Sequence, residues 1–293
     1  MKKITLALFS AAMLAASALQ AQKITLRFSP ANGSRYDVAT VTAMNIKQTV
    51  MGQPANADVN NTVAALYEIA DAGADKNLTM TYGAVKTNMS FMGKDISIDS
   101  ESPDTANAGN KMFRSIKGQK ITATIASDGS VKKVEGFEAI KQQLNADNSP
   151  ARQMTEEMFS DATIKSLLEQ SLKMYPKEAV SAGSTWASTV QIEKPYKLTM
   201  QNNYTLKKTE GGKSFIDVTG KVGTNGATKM QQQGMEVEIN LDGTVTGTLT
   251  MDNASGITDT SELTQLLKGT AKVQGMEVPM EITVKTTIDM KKL

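Results

Sequence analysis

The chain's C-terminal stretch alternates most plainly. Met276, Val278, Met280, Ile282, Val284, Ile288 and Met290 are apolar, and Glu277, Pro279, Glu281, Thr283, Lys285, Thr287 and Asp289 lie between them. A period of two with one polar side predicts a half-buried strand. Pro279 has no amide hydrogen, so its place near the strand start predicts an edge or a bulge. Upstream, Leu263, Leu267, Ala271 and Val273 keep one parity, and "VQGME" supplies the turn. Leu263, Leu266 and Leu267 would also suit a helix, but the odd-position pattern runs on through Val273. Further alternating runs are Tyr36 to Val50, Val59 to Ile69 and Tyr196 to Leu206. They read as long-armed hairpins.

Parity decides one ambiguous stretch, "MEVEINLDGTVTGTLTMD". Asp-Gly normally marks a two-residue hairpin turn. Here Met235, Val237, Ile239 and Leu241 precede it on odd positions, and Val245, Leu249 and Met251 follow it on odd positions too. A two-residue loop would flip the second arm and set threonines beside the apolar set. The stretch 235–251 is therefore expected to be one strand, bulged at Gly243. At roughly 3.3 Å per residue it is more than about 50 Å long. Sheets with such strands twist and curl.

Helical spacing is confined mainly to the middle. Phe137, Ile140 and Leu144 share one face. The run 151–174 carries Met154, Met158, Ile164, Leu167, Leu168 and Leu172, with Ser160 or Asp161 as a cap inside it, and Pro176 ends it. A short helix is expected at 108–116, after a polar loop at 99–109.

The string "SPANGSRYDVAT" (29–40) has a counterpart in "SAGSTWAST" (181–189). Each runs Gly-Ser, one residue, then a large aromatic that opens an alternating segment. With Tyr67 set on Tyr204, Ile69 meets Leu206, Gly83 meets Gly220 and Val85 meets Val222. The expected organisation is a leader at 1–22, a first β unit at 23–136, a helical connection at 137–182 and a second β unit at 183–293, the two units packed as one domain. The fold class is mainly β (α+β): long, curled antiparallel sheets, half-barrel-like, from two pseudo-repeated units.

Composition narrows the function. The first 22 residues show Lys2 and Lys3, an apolar core and small residues before cleavage after Ala18 or Ala21, which reads as a secretory signal peptide. No other stretch approaches the roughly 20 apolar residues of a spanning helix. The expected mature protein is periplasmic or secreted. The chain has 32 Lys and Arg against 30 Asp and Glu, and two of the lysines lie in the leader. The remainder is neutral and carries no footprint for nucleic acid. Histidine and cysteine are both absent. That removes Ser-His-Asp and Cys-His catalysis, thiol redox chemistry and His- or Cys-ligated metals. No enzyme activity and no cofactor are expected.

The segments "LRFSPANGSRY", "QTVMGQ", "IASDGSVKKVEGF", "YPKEAVSAGSTW" and "KVQGMEVPMEI" resemble an uncharacterised family of exported β-rich proteins, mainly from Bacteroidota, a domain of unknown function. The resemblance implies an exported protein, often a lipoprotein; this chain departs there, because it has no lipobox cysteine. At fold level a curled sheet under a helical cover is also similar to periplasmic lipoprotein carriers, and such likeness does not by itself imply function.

Three constellations carry candidate chemistry. "DISIDSE" sets Asp95, Ser97, Asp99 and Glu101 on one strand side, an oxygen-rich arrangement that suits calcium or, more simply, a solvated face. Sixteen of the 18 methionines lie outside the leader, many on apolar strand sides, where Met serves as pliable core or as an adaptable binding surface. "DTA" at 104–106 resembles a short Bacteroidota O-glycosylation motif, with Thr105 as acceptor. Two readings follow: a module that binds a hydrophobic or lipid-like molecule, and a non-catalytic structural or interaction protein of the envelope. A carrier requires a contiguous apolar cavity; a scaffold has a filled core.

Overall fold

The computed structural model describes residues 23–50, 52–136, 138, 160–192, 197–232 and 235–293. The expected leader, the helix at Phe137, Ile140 and Leu144, residues 151–159 and Tyr196 lie outside them. The first half supplies β1 (Arg35–Val50), β2 (Gln53–Pro54), β3 (Ala57–Ala72), β4 (Asp75–Phe91), β5 (Lys94–Asp99), helix α1 (Ala108–Ile116), β6 (Lys120–Ile125) and β7 (Val131–Glu135). After helix α2 (Asp161–Leu172) come β8 (Thr185–Ile192), β9 (Leu198–Glu210), β10 (Lys213–Gly223), β11 (Thr228–Gln232), β12 (Met235–Asp252), β13 (Thr258–Val273) and β14 (Met276–Lys292).

These strands make one antiparallel sheet, ordered β7-β6-β4-β3-β1-β14-β13-β12-β10-β9-β8, with β2, β5 and β11 attached to β1, β4 and β12. The two expected units join because β1 pairs with β14, from Tyr36↔Lys292 to Gln48↔Met280. That pairing stops one residue short of Pro279, which faces only Thr270 of β13. The proline thus lies where β14 has become an edge, as its missing amide requires.

β12 runs unbroken through Asp242-Gly243, as parity requires. The bulge expected at Gly243 is not there. Gly243 pairs in register with Val222 and with Leu267, and the register break on β12 falls at Thr250/Met251. The glycine serves close approach instead. A Cβ on Gly243 would sit 2.1 Å from the Leu266 carbonyl oxygen, and one on Gly247 2.0 Å from that of Glu262. Side chains there would force the strands apart, so these glycines let the sheet curl.

The curl brings distant strands together. Ile69, Leu78, Ile121 and Ile125 share one cluster with Leu206, Ile216, Leu249 and Met251. The apolar side of the sheet is therefore concave. The outer strands β7 and β8 do not pair with each other; helix α2 packs against both. Ser160 caps α2, its Oγ accepting from the Thr163 amide at 3.2 Å. Asn107 caps α1, its Oδ1 accepting from the Gly109 amide at 2.9 Å.

Residues 24–29 cross this end of the sheet. Ile24 and Val180 exchange 2.8 Å backbone hydrogen bonds, Phe28 N–H donates to Ser127 O at 2.8 Å, and Ser29 N–H to Ser255 O at 2.8 Å. Leu26 and Phe28 are fully buried. Trp186 Nε1 donates to Met174 O at 2.6 Å and its ring stacks on Tyr204 at 5.6 Å.

The twin Gly-Ser strings make the same bonds. Gly33 N–H donates to Ile69 O and Ile69 N–H to Ser34 O; Gly183 N–H donates to Leu206 O and Leu206 N–H to Ser184 O. Gly33 and Gly183 both have positive φ, 77° and 87°, which explains the glycine in each string. Tyr36 then pairs with Tyr67, and Trp186 with Tyr204.

Candidate functional site

The concave side divides into two ends. The covered end, under α2 and residues 24–29, holds the larger cluster. The opposite end holds a smaller one, built on Met200, Val222, Val237, Leu241, Val245 and Leu267. Across from it, Met44, Ile46, Val59, Met89, Ile282 and Val284 point to the same side and are only half-buried. Strand register explains the common facing: Met44 pairs with Val284 and Val59, and Ile46 with Ile282.

Between Leu198 and Leu206 on β9, Val237 and Met251 on β12, Leu263 and Val273 on β13, and Met276 and Met290 on β14, no inward position carries a charge. Polar groups at mid-height are neutral: Thr42, Asn61, Thr87, Asn202, Gln265 and Thr286. Thr87 Oγ1 donates to Asn61 Oδ1 at 3.0 Å. Asn202 is buried; its Nδ2 reaches the Tyr204 hydroxyl at 3.4 Å, and its Oδ1 has no partner. Gly220 makes the room, since a Cβ there would lie 2.5 Å from that oxygen. A buried acceptor left without a donor is costly unless something else supplies one.

A cavity of about 840 Å³ lies at the covered end, and it is not the apolar space a carrier requires. Its lining includes Lys213, Asp252, Asp259, Asp289, Lys291 and Lys292 beside Tyr36 and Met290. Most of these charges are spent within the chain. Lys213 Nζ lies 2.9 Å from Asp259, and Lys291 Nζ 3.5 Å from Asp289. Burial pushes the Asp252 carboxyl up, but the Ser255 hydroxyl at 2.6 Å and amide at 2.8 Å outweigh it, and the pKa is held below the usual carboxylate range.

The acidic strand side of β5 disperses. Asp99 sits 3.3 Å from Lys86, Glu101 2.8 Å from Lys117, and Ser97 donates to Asn88 at 2.8 Å. The Glu101 amide and Lys86 hold the Asp99 carboxyl low against a smaller opposing effect of burial. Among the described residues no three acidic side chains converge on a common point. Thr105 is exposed on the loop before α1, and Asp104 Oδ1 accepts from the Ala106 amide at 2.9 Å. Among the described residues, Met80, Met174 and Met251 lie in the larger buried cluster, Met44, Met89 and Met280 are half-buried on the inward side, and Met92 and Met276 are exposed at turns. Sequence reading overlooked Asn202 and the turn residue Met92. The first gave no signal. The second had one: Met-Gly in a place where a tight hairpin turn favours Asn-Gly.

An open, curled antiparallel sheet with an apolar concave side and a polar convex side is the class of protein these features define. The family of unknown function DUF6263 matches residues 73–258, and the chain belongs to it. No curated protein matches the chain. Among solved structures, an outer membrane channel from Pseudomonas putida F1 is similar at 8% identity, with 90% of this chain and 97% of that one covered and a TM-score of 0.26. OccK7 (OpdD) of Pseudomonas aeruginosa is similar at 7% identity, covering 90% and 100%, with a TM-score of 0.24. The beta domain of the Bordetella autotransporter Brka is similar at 8% identity, covering 86% and 98%, with a TM-score of 0.26. Likeness at this level carries no argument.

Proposed function

We propose that the protein is an exported, non-catalytic binding module of the cell envelope, and that the half-covered concave side takes a hydrophobic or lipid-like molecule. One observation carries this reading. At the end of the sheet away from residues 24–29, the inward side chains Met44, Ile46, Val59, Ile282 and Val284 are only half-buried, and no charge lies among them. Apolar side chains left partly wet on an inward-facing surface are a standing free-energy gain for an apolar ligand. Mid-height amides and hydroxyls suit a ligand with an uncharged polar group.

The convex side supports an aqueous setting. Asp37, Lys47, Glu281 and Lys285 are exposed and point outward. A transmembrane barrel has the reverse arrangement, with its apolar side outward. Among the described residues no helix is long and apolar enough to cross a membrane. Among the described residues, the carboxylates Asp99, Glu101, Asp128, Glu210, Asp252 and Glu281 are held below their ordinary range by hydrogen bonds and neighbouring lysines, as on a solvated surface.

The test is purification from the native envelope without detergent, followed by extraction and mass spectrometry. One reproducible lipid class at stoichiometric amount is expected, and Val284→Asp should empty the protein of it. No lipid above background in the wild-type protein would leave the structural or interaction role in its place.

A further inference from the structure

We propose that the hairpin tips at the half-covered end dock on a phospholipid membrane surface and insert Phe91, Met92 and Met276 into it. Phe91 is 40% exposed, Met92 68% and Met276 44%. Phe91 pairs with Ala57, Ala57 with Ile46, and Ile46 with Ile282, so the β4–β5 tip lies toward the end where β14 begins, six residues back from Met276 in register (276 to 282). The β13–β14 tip, closed by the Val273↔Met276 pair, lies at that same end. The concave side opens there.

Turn chemistry supplies an independent sign. Both tips are two-residue loops with positive φ at both positions, 49° and 75° at Met92-Gly93, 51° and 83° at Gln274-Gly275. The first position of such a turn favours Asn, Asp or Gly. At the opposite end β9 and β10 meet this demand with Gly211-Gly212, φ 58° and 77°. Met92 accepts a left-handed backbone and gains almost no burial in return. A strained residue that packing does not explain points to a role outside folding.

The occupant follows from shape and charge. The apolar side chains stand at two separate hairpin turns rather than on one flat patch, which suits insertion between lipid headgroups better than a flat protein interface. Beside them lie Lys94 with Asp95 and Lys272 with Glu277, opposite signs at each tip. Insertion therefore depends on apolar burial rather than on anionic lipid. The lysine stems can lie along the interface with their ammonium groups in water.

The experiment is co-sedimentation of the purified protein with unilamellar vesicles of pure phosphatidylcholine, at low and high salt. Binding that survives added salt is expected. Met92→Asn should weaken partition by at least about tenfold while raising the melting temperature, because Asn accepts positive φ. Leu167→Asp, an exposed residue of α2 at the covered end, should leave partition unchanged. Absence of vesicle binding by the wild-type protein overturns the proposal. So does equal binding by Met92→Asn, an equal loss in Leu167→Asp, or a protein partner held by the tips without vesicle binding. The vesicle result is independent of whether the concave side carries an extractable lipid.

Discussion

At the covered end, Leu26 and Phe28 lie under the sheet with no solvent-accessible surface to speak of, and α2, Met174 and Tyr175 complete the packing. At the other end, Ile282 and Val284 face the same way from the same kind of strand and remain half-buried. Propensity and pattern are alike at the two ends. The difference lies in what crosses them: residues 24–29 tie the loops at 126–130, 174–180 and 253–256 together at one end only. The same kind of apolar strand surface is therefore core where residues 24–29 lie over it, and is only half-buried at Met44, Ile46, Ile282 and Val284, where they do not.

The largest expected effect tests this contrast directly. Phe28→Ala should cost about 3–5 kcal/mol, whereas Ile282→Ala should cost about 1 kcal/mol, as read by chemical denaturation of the two variants. Equal costs would break the comparison.

Alkaline pH sharpens it. Burial pushes the Tyr67 phenol up to about 12, and the buried Tyr175, whose hydroxyl donates to Gly256 O at 2.8 Å, higher still. The folded state keeps these protons while the unfolded chain releases its own near pH 10. Their contribution is thus fully present below that pH and is lost as pH rises above it. Stability should stay flat to about pH 10 and then fall. Tyr175→Phe should cost about 1 kcal/mol at neutral pH and make the alkaline fall shallower. Variants of the half-covered end should keep the full slope.

The smallest effect concerns Thr105, which belongs to neither end. Its side chain is exposed and the Asp104 carboxylate shapes the loop around it. If the native host modifies the loop, intact mass will show a glycan that Thr105→Ala removes. Stability should change by less than about 0.5 kcal/mol. An unmodified mass from the native host excludes the site.

Much of the architecture was readable in advance. The alternation of Met276 to Met290, the continuous strand through Asp242-Gly243, the Ser160 cap and the stop before Pro176 are local facts, and each is met. The site was harder. Charged residues line the cavity at the covered end, because Lys213, Asp252 and Asp259 converge only after β10, β12 and β13 are aligned. The Asn202 oxygen became notable only when Gly220 came to lie beside it. Met92 was visible as a letter, but its strain depends on the turn closing between Phe91 and Lys94.

Sequence alone determined which side of each strand is apolar, because side chains alternate strictly and a one-residue slip would invert every one. It also determined where turns and helix ends fall, since Gly, Pro and capping side chains act within a few residues. Tertiary structure decided that β1 pairs with β14, that β7 and β8 are joined through α2, and that residues 24–29 cross one end of the concave side. Those outcomes depend on contacts between residues far apart in the chain, and on backbones meeting closely at Gly243 and Gly247. No local pattern encodes such approaches, because their free energy exists only once the whole sheet has curled.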